Sequence, residues 1–165
     1  MKYSEFIAKL KKDIDEVLGD QVLKAVQEAE ADAIEKIVYS VYPPKIYERR
    51  SEISGLDSAD GLSSRNNMVG SVYEGTLTVI NITKPNQGPM RLDPNYYTSM
   101  PANAPLAELI EYGGGHKGYV YDYDVPQVVY GPRPFTRETI NYLHKGKKHI
   151  QSLASGLVKK GYAVS

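Results

Sequence analysis

Glu108, Glu111 and His116 are the residues of this chain whose types and spacing come nearest to a chemical centre. Carboxylates supply negative ligands, and imidazole exchanges protons or binds metal near neutrality. Together they are the basis of one alternative function, a small metal-assisted hydrolase. The chain has three histidines, and His144 and His149 both fall in its basic C-terminal stretch. The structural or surface reading of the trio is therefore preferred. No catalytic, metal-binding or cofactor-binding residue is assigned, no cofactor is expected, and the chain is read as a non-enzyme.

Gly113, Gly114, Gly115 and His116, followed by Lys117, could present successive amides to a phosphate. They lack the strand-to-helix frame and the terminal serine or threonine that phosphate loops require, so a turn is the better reading. Arg49, Arg50, Arg65, Lys145, Lys147 and Lys148 could meet a nucleic-acid backbone, where convergent positive charge is favoured. Acidic neighbours dilute the first group, and no base-stacking pattern accompanies the second. Direct nucleic-acid contact is not expected, and a nucleic-acid module using the basic C-terminal region stands as the other alternative. The GxxxxGK[ST], GxSxG and HExxH patterns do not occur, and the lack of cysteine excludes disulfides, thiolate metal sites and thiol nucleophiles.

Aromatic usage is lopsided, with fourteen tyrosines, two phenylalanines and no tryptophan. A tyrosine buries a large face while keeping a hydroxyl for water or a partner, which suits wet contact surfaces. Tyr119, Tyr121 and Tyr123 alternate with Val120, Asp122 and Asp124, the pattern of an exposed or edge ribbon, and Tyr130 follows nearby.

The elements that must hold these residues are legible from periodicity. Apolar side chains at Tyr3, Ile7, Leu10, Ile14, Leu18, Val22, Ala25, Ala29, Ala33 and Ile37 step by three or four residues, which predicts one long helix or two. Phe6, Val17, Ile34 and Val38 widen the stripe to a core-facing surface. Gly19 and Asp20 mark a candidate break, and Pro43 and Pro44 oppose continuation. Irregular loops are expected at about 43–67 and 84–105. Between them, two strands joined around Glu74 and Gly75 form a hairpin. Leu106, Leu109 and Ile110 fit a short helix or a strand. A last major helix should start near Phe135, Thr136 and Ile140, read as the N′, N-cap and N4 positions of a hydrophobic staple. Gly146 and Gly156 are places where it could bend or shorten.

Charge sums to zero over 165 residues, but unevenly: −3 for residues 1–38, −3 for 39–132 and +6 for 133–165. The C-terminal surface could therefore steer an acidic partner or complement the acidic part of another subunit. No apolar run approaches the roughly 20 residues needed to span a bilayer, so no membrane partner is expected. One domain covering 1–165 is expected, an α/β (α+β) fold with a small, mostly antiparallel sheet packed against a long N-terminal helix and a C-terminal helix.

The order of these pieces carries a resemblance. The long helix, the segment SGLDSADGLSS with Gly61 and Leu62, the paired strands, LAELIEYGGG with Glu111 and Gly113, and GPRPFTRETINYL with Arg133, Pro134 and Phe135 together resemble bacteriophage neck, head–tail connector and tail-completion proteins. The tyrosine-rich, hairpin-like insertion at about 116–130 departs from the commoner pattern. So does Glu111-Tyr112-Gly113, where related chains often have glutamate-phenylalanine-glycine. The resemblance implies copies arranged in a ring, in contact with phage connector or stopper proteins and with tail-tube or tail-terminator proteins. The expected location is the neck or tail of a virion or phage-tail-like particle, after synthesis in the bacterial cytoplasm. Interface candidates are Arg49, Arg50, Glu111, Gly113, Tyr119, Tyr121, Tyr123, Tyr130 and Arg133.

Overall fold

A computed structural model describes residues 2–40, 61–83, 106–112 and 132–164. The N-terminal stripe forms helix α1 (Tyr3–Val17), a π-helical turn (Leu18–Val22), helix α2 (Leu23–Ile34) and a second π-helical turn (Glu35–Tyr39). Gly19 and Asp20 thus do not break the helix. The chain widens there into a π turn, which absorbs an extra residue without ending the spiral. The apolar face stays inward across this turn: Val17, Leu18 and Val22 are buried on it, and Ala25, Ala29, Ala33, Ile34 and Val38 continue the face. The first turn lies outside the core, since Tyr3 is 81% exposed. There the Lys2 N–H donates to Glu5 Oε2 at 2.9 Å, satisfying one of the amides that a helix start leaves without a partner.

Strands β1 (Met68–Tyr73) and β2 (Thr76–Asn81) pair antiparallel, with Met68 opposite Asn81 and Tyr73 opposite Thr76. The two-residue turn has φ of 48° at Glu74 and 76° at Gly75, the paired positive values that match a hairpin's twist. Its tip is tied to α1, because the Gly75 N–H donates to Asp15 Oδ1 at 3.0 Å. Met68, Gly70, Val72, Leu77, Val79 and Asn81 form the inner face, set by the strict alternation of burial along both strands. The irregular segment leading into β1 is packed where it is described: Leu62 is fully buried, and a 3₁₀ turn (Arg65–Asn67) delivers the chain to the strand.

Leu106–Tyr112 adopts the helical alternative as α3. The last helical region is two helices, α4 (Phe135–Gly146) and α5 (Lys148–Lys159). Lys147 makes the break with φ of 52°, and its N–H returns to the Leu143 carbonyl at 2.9 Å. The glycine expected to bend the helix therefore lies just before the left-handed residue. Gly156 does not interrupt α5. It marks a close crossing, since a Cβ there would lie 2.3 Å from Val17 Cγ1.

The staple is a correction. Helix α4 begins at Phe135 itself, so Thr136 lies inside the helix and is not its cap. Ile140 is 49% exposed while Phe135 is 3% exposed, so the two cannot clasp one another. Phe135 instead enters a core with Ala33, Ile34, Val38, Tyr39, Leu62, Met68 and Ala107. A second cluster of Val17, Leu18 and Val22 is covered by Val72 and Leu77 from the hairpin and by Leu153 and Leu157 from α5. A small antiparallel sheet thus packs among a long N-terminal helix and C-terminal helices, an α+β fold. Among the described residues no helix is long and apolar enough to cross a membrane.

Candidate functional site

Three segments far apart in sequence meet around the first core cluster: Gly61–Leu62, α3, and the Arg133–Phe135 entry to α4. Leu62, Ala107 and Phe135 are buried together, with Ile110 half-buried against them. The Arg133 N–H donates to the Ile110 carbonyl at 3.0 Å, which sets the chain entering α4 alongside the end of α3. The Glu111 carboxylate then accepts from the Thr136 N–H at 2.9 Å. A carboxylate there answers both an orphan amide and the positive end of the helix dipole. With no capping side chain on Pro134, the cap of α4 comes from another helix.

Beside this junction lies a second polar network. Glu30 sits on the inward side of α2, 9% exposed, and accepts from Asn81 Nδ2 at 2.9 Å. The same amide donates to the Leu62 carbonyl at 2.9 Å, while Asn81 Oδ1 accepts from Thr83 Oγ1 at 2.6 Å. Asn67 Nδ2 donates to the Gly61 carbonyl at 3.0 Å, and Gln27 Nε2 donates to the Met68 carbonyl at 2.9 Å. Desolvation pushes the Glu30 carboxyl above its ordinary range; the Asn81 amide opposes this, and the charge of Glu111 adds to it. These contacts hold the end of β2 and the loop before β1 against α2.

Charge is also used within the chain. Lys160, after α5, donates to Asp13 Oδ1 at 3.0 Å and pairs with Glu16, both on α1. The Tyr162 hydroxyl donates to Asp13 Oδ2 at 2.7 Å, and its ring meets Phe6 edge-on with centroids 6.4 Å apart. The Tyr162 hydroxyl and then Lys160 hold the Asp13 carboxyl below its ordinary range, and Lys160 does the same for Glu16. On the other side of the body Lys36 donates to Glu138 at 2.7 Å, joining the second π turn to α4. Part of the positive C-terminal charge is thereby matched to the acidic N-terminal helix of the same chain.

Of the sequence-derived candidates, Glu111 and Arg133 lie at the junction. Arg49, Arg50, Gly113, His116, Lys117, Tyr119, Tyr121, Tyr123 and Tyr130 lie outside the described residues. Glu108 is exposed on α3, whereas Glu111 is directed to α4. Arg65 is paired with Glu28 at 3.4 Å. His144 is exposed, and His149 is half-buried with its Nδ1 lacking a hydrogen-bond partner. Among the described residues no group of three or more histidine, cysteine, aspartate or glutamate side chains could hold a metal ion.

Sequence reasoning missed Glu30 and Asn81. One signal for Glu30 was present: it stands four residues after Val26 and four before Ile34, an acid on an otherwise apolar helical face. Asn81 carried no comparable mark at the end of an ordinary strand.

Comparison with known families finds a match of the YomN model to residues 2–159. No curated protein and no solved structure matches.

Proposed function

The chain belongs to the YomN family, a family of bacteriophage neck, head–tail connector and tail-completion proteins, and from that premise we propose that copies of it assemble into a ring at the neck or tail. The protein is a structural, connector-type component of a phage particle, located in the neck and tail region of the virion. Proteins of this type oligomerise and contact other tail and connector proteins. The observation that carries the ring reading is the family match, which spans nearly the whole chain.

The geometry supports it from a second side. Three carboxylates that the structure describes hold the fold: Glu111 caps α4, Glu30 receives Asn81, and Asp13 secures the C-terminal tail. A stiff body of this kind serves mechanical joining, where broad complementary surfaces matter more than a reactive constellation. In this reading Tyr119, Tyr121, Tyr123, Tyr130, Arg49 and Arg50 contact neighbouring copies or the stopper, tail-tube and tail-terminator proteins. Glu111 and Arg133 keep the end of α3 and the entry to α4 in register, and Gly113 is a further interface candidate.

The test is mass measurement over a concentration series, with electron microscopy of the chain alone and with candidate tail proteins. A ring is expected, and Tyr121→Ala should weaken partner binding while leaving the melting temperature unchanged. A chain that stays monomeric and never enters particles would defeat the reading.

A further inference from the structure

The base of the hairpin is closed by a network of side chains in which Glu30 alone is ionisable. Asn81 spends its whole hydrogen-bonding capacity there. Its Nδ2 donates to Glu30 Oε1 and to the Leu62 carbonyl, both at 2.9 Å, while its Oδ1 accepts from the Thr83 N–H at 3.1 Å and the Thr83 hydroxyl at 2.6 Å. The Ile82 N–H donates to the Asn67 carbonyl at 2.7 Å, and the Asn67 N–H to the Ser64 carbonyl at 3.0 Å. Residues 61–67, which lead into β1, are thereby locked to residues 81–83, which leave β2. Asn81 joins the pair to α2 through Glu30, and Gln27 adds a neutral tie to the Met68 carbonyl.

Glu30 is a poor place for a charge. The side chain is buried and receives one hydrogen bond, from the neutral Asn81 amide. Among the described residues no lysine or arginine forms an ion pair with it. Neither β1 nor β2 carries a charged residue. Arg65 of the 3₁₀ turn is taken up by Glu28 of α2 at 3.4 Å, Lys36 of the second π turn by Glu138 of α4 at 2.7 Å, and Arg133 stands at the entry to α4. The charge that acts on Glu30 is that of Glu111 on α3, and it repels. A buried carboxylate with one neutral donor and a like charge nearby is costly when ionised, whereas the neutral acid still accepts from Asn81.

We propose that Glu30 is a proton-operated latch: protonated, it holds the base of the hairpin against α2, and its ionisation favours opening of residues 61–67 and 81–83 while the helices stay folded. Opening admits water to the carboxylate and separates it from the surroundings that disfavour its charge. It also uncovers Leu62, so the opened form is a minor one at every pH, and the proton sets how often it is visited. The helices have their own support in the cluster of Val17, Leu18 and Val22 with Leu153 and Leu157. The raised folded-state value of Glu30 fits this device, since opening then releases a proton.

The test is amide hydrogen exchange of the whole chain followed by NMR from pH 4 to pH 8, with the intrinsic pH dependence of exchange divided out. Ser64, Asn67, Ile82 and Thr83 report the latch, and Gln151 in α5, whose N–H donates to the Lys147 carbonyl, reports the helices. The four reporters should exchange faster than Gln151. Their opening should rise by up to about tenfold per pH unit from 4.5 to the raised value of Glu30 and level off above it, because one proton separates the closed and open forms. In Glu30→Gln the corrected profile of the reporters should be flat. Reporters that match Gln151 at every pH open only with the whole fold and overturn the latch, as does a slope that persists in the variant. Carbon-13 NMR of the Glu30 carboxyl in the parent chain gives a readout that needs no variant. Its midpoint should coincide with the upper bend of the exchange profile, and a carboxyl that titrates at its ordinary value would overturn the proposal.

Discussion

The Glu111 carboxylate of one helix caps another, accepting the Thr136 N–H of α4 at 2.9 Å across 25 residues of sequence. Because Pro134 offers no capping side chain, Glu111→Ala leaves that amide without its acceptor. Destabilisation of about 1 kcal/mol is expected from the usual worth of a helix cap, with Glu111→Gln recovering part of it. Urea unfolding of the three proteins checks this. Equal midpoints would show that water replaces the carboxylate at no cost.

Phe135 is the aromatic anchor of the same junction, packed among Ile34, Val38, Leu62 and Met68. Phe135→Ala should cost about 3–5 kcal/mol, since the rigid helices around it cannot close the void. In a chain of this size that corresponds to a fall of roughly 10 °C or more in melting temperature, measurable by calorimetry.

Glu30 makes stability depend on pH in an unusual direction for an acid. Burial raises its folded-state value above the ordinary 4.5, so the folded chain holds this proton more tightly than the unfolded chain does. As pH rises from 4.5 through the raised value, folding loses stability. Glu30→Gln keeps an acceptor for Asn81 and removes the titration. The variant should therefore gain on the parent as pH increases from about 4 to about 8, read as a widening gap between urea midpoints. A gap that stays constant with pH would place the cost elsewhere.

Asp13 behaves oppositely. The Tyr162 hydroxyl and Lys160 lower its folded-state value below 3.8, so its contribution is present above 3.8 and disappears as pH falls through the lowered value. Tyr162→Phe should reduce stability near neutrality and converge with the parent in acid. Hydrogen exchange at the end of α5 would also quicken, because the tail loses one of its ties to α1 and keeps only those of Lys160.

Gly156 and Val17 meet where α5 crosses the end of α1, leaving no room for a methyl group. Gly156→Ala should destabilise by about 1–3 kcal/mol despite alanine's better helix propensity. Combining it with Val17→Ala should recover part of that loss, and a double-mutant cycle measures the coupling.

Periodicity sufficed for much of the scaffold. The three-to-four spacing of the N-terminal stripe, the alternation in VGSVY and TLTVIN, and Glu74-Gly75 between them specify a helix and a hairpin, because each depends on near neighbours alone. The polar partnerships were out of reach. Nothing local to Glu111 announces that it caps a helix starting 24 residues later at Phe135, and nothing near Asn81 indicates Glu30, 51 positions away.

The staple failed for the same reason. Phe135 and Ile140 have staple spacing, but the better-packed place for the ring lay between α2 and Leu62, and the core took it. At Gly19 the propensity for a break yielded to packing that holds Val17, Leu18 and Val22 inside. Sequence by itself determined the N-terminal helical stripe, the hairpin and the helical character of the C-terminal region, while the choice of helix for Leu106–Tyr112 and the break at Lys147 came from the structure. Tertiary structure alone decided how buried polar groups pair and where helices cap one another, because those choices depend on distances between residues that no local pattern encodes.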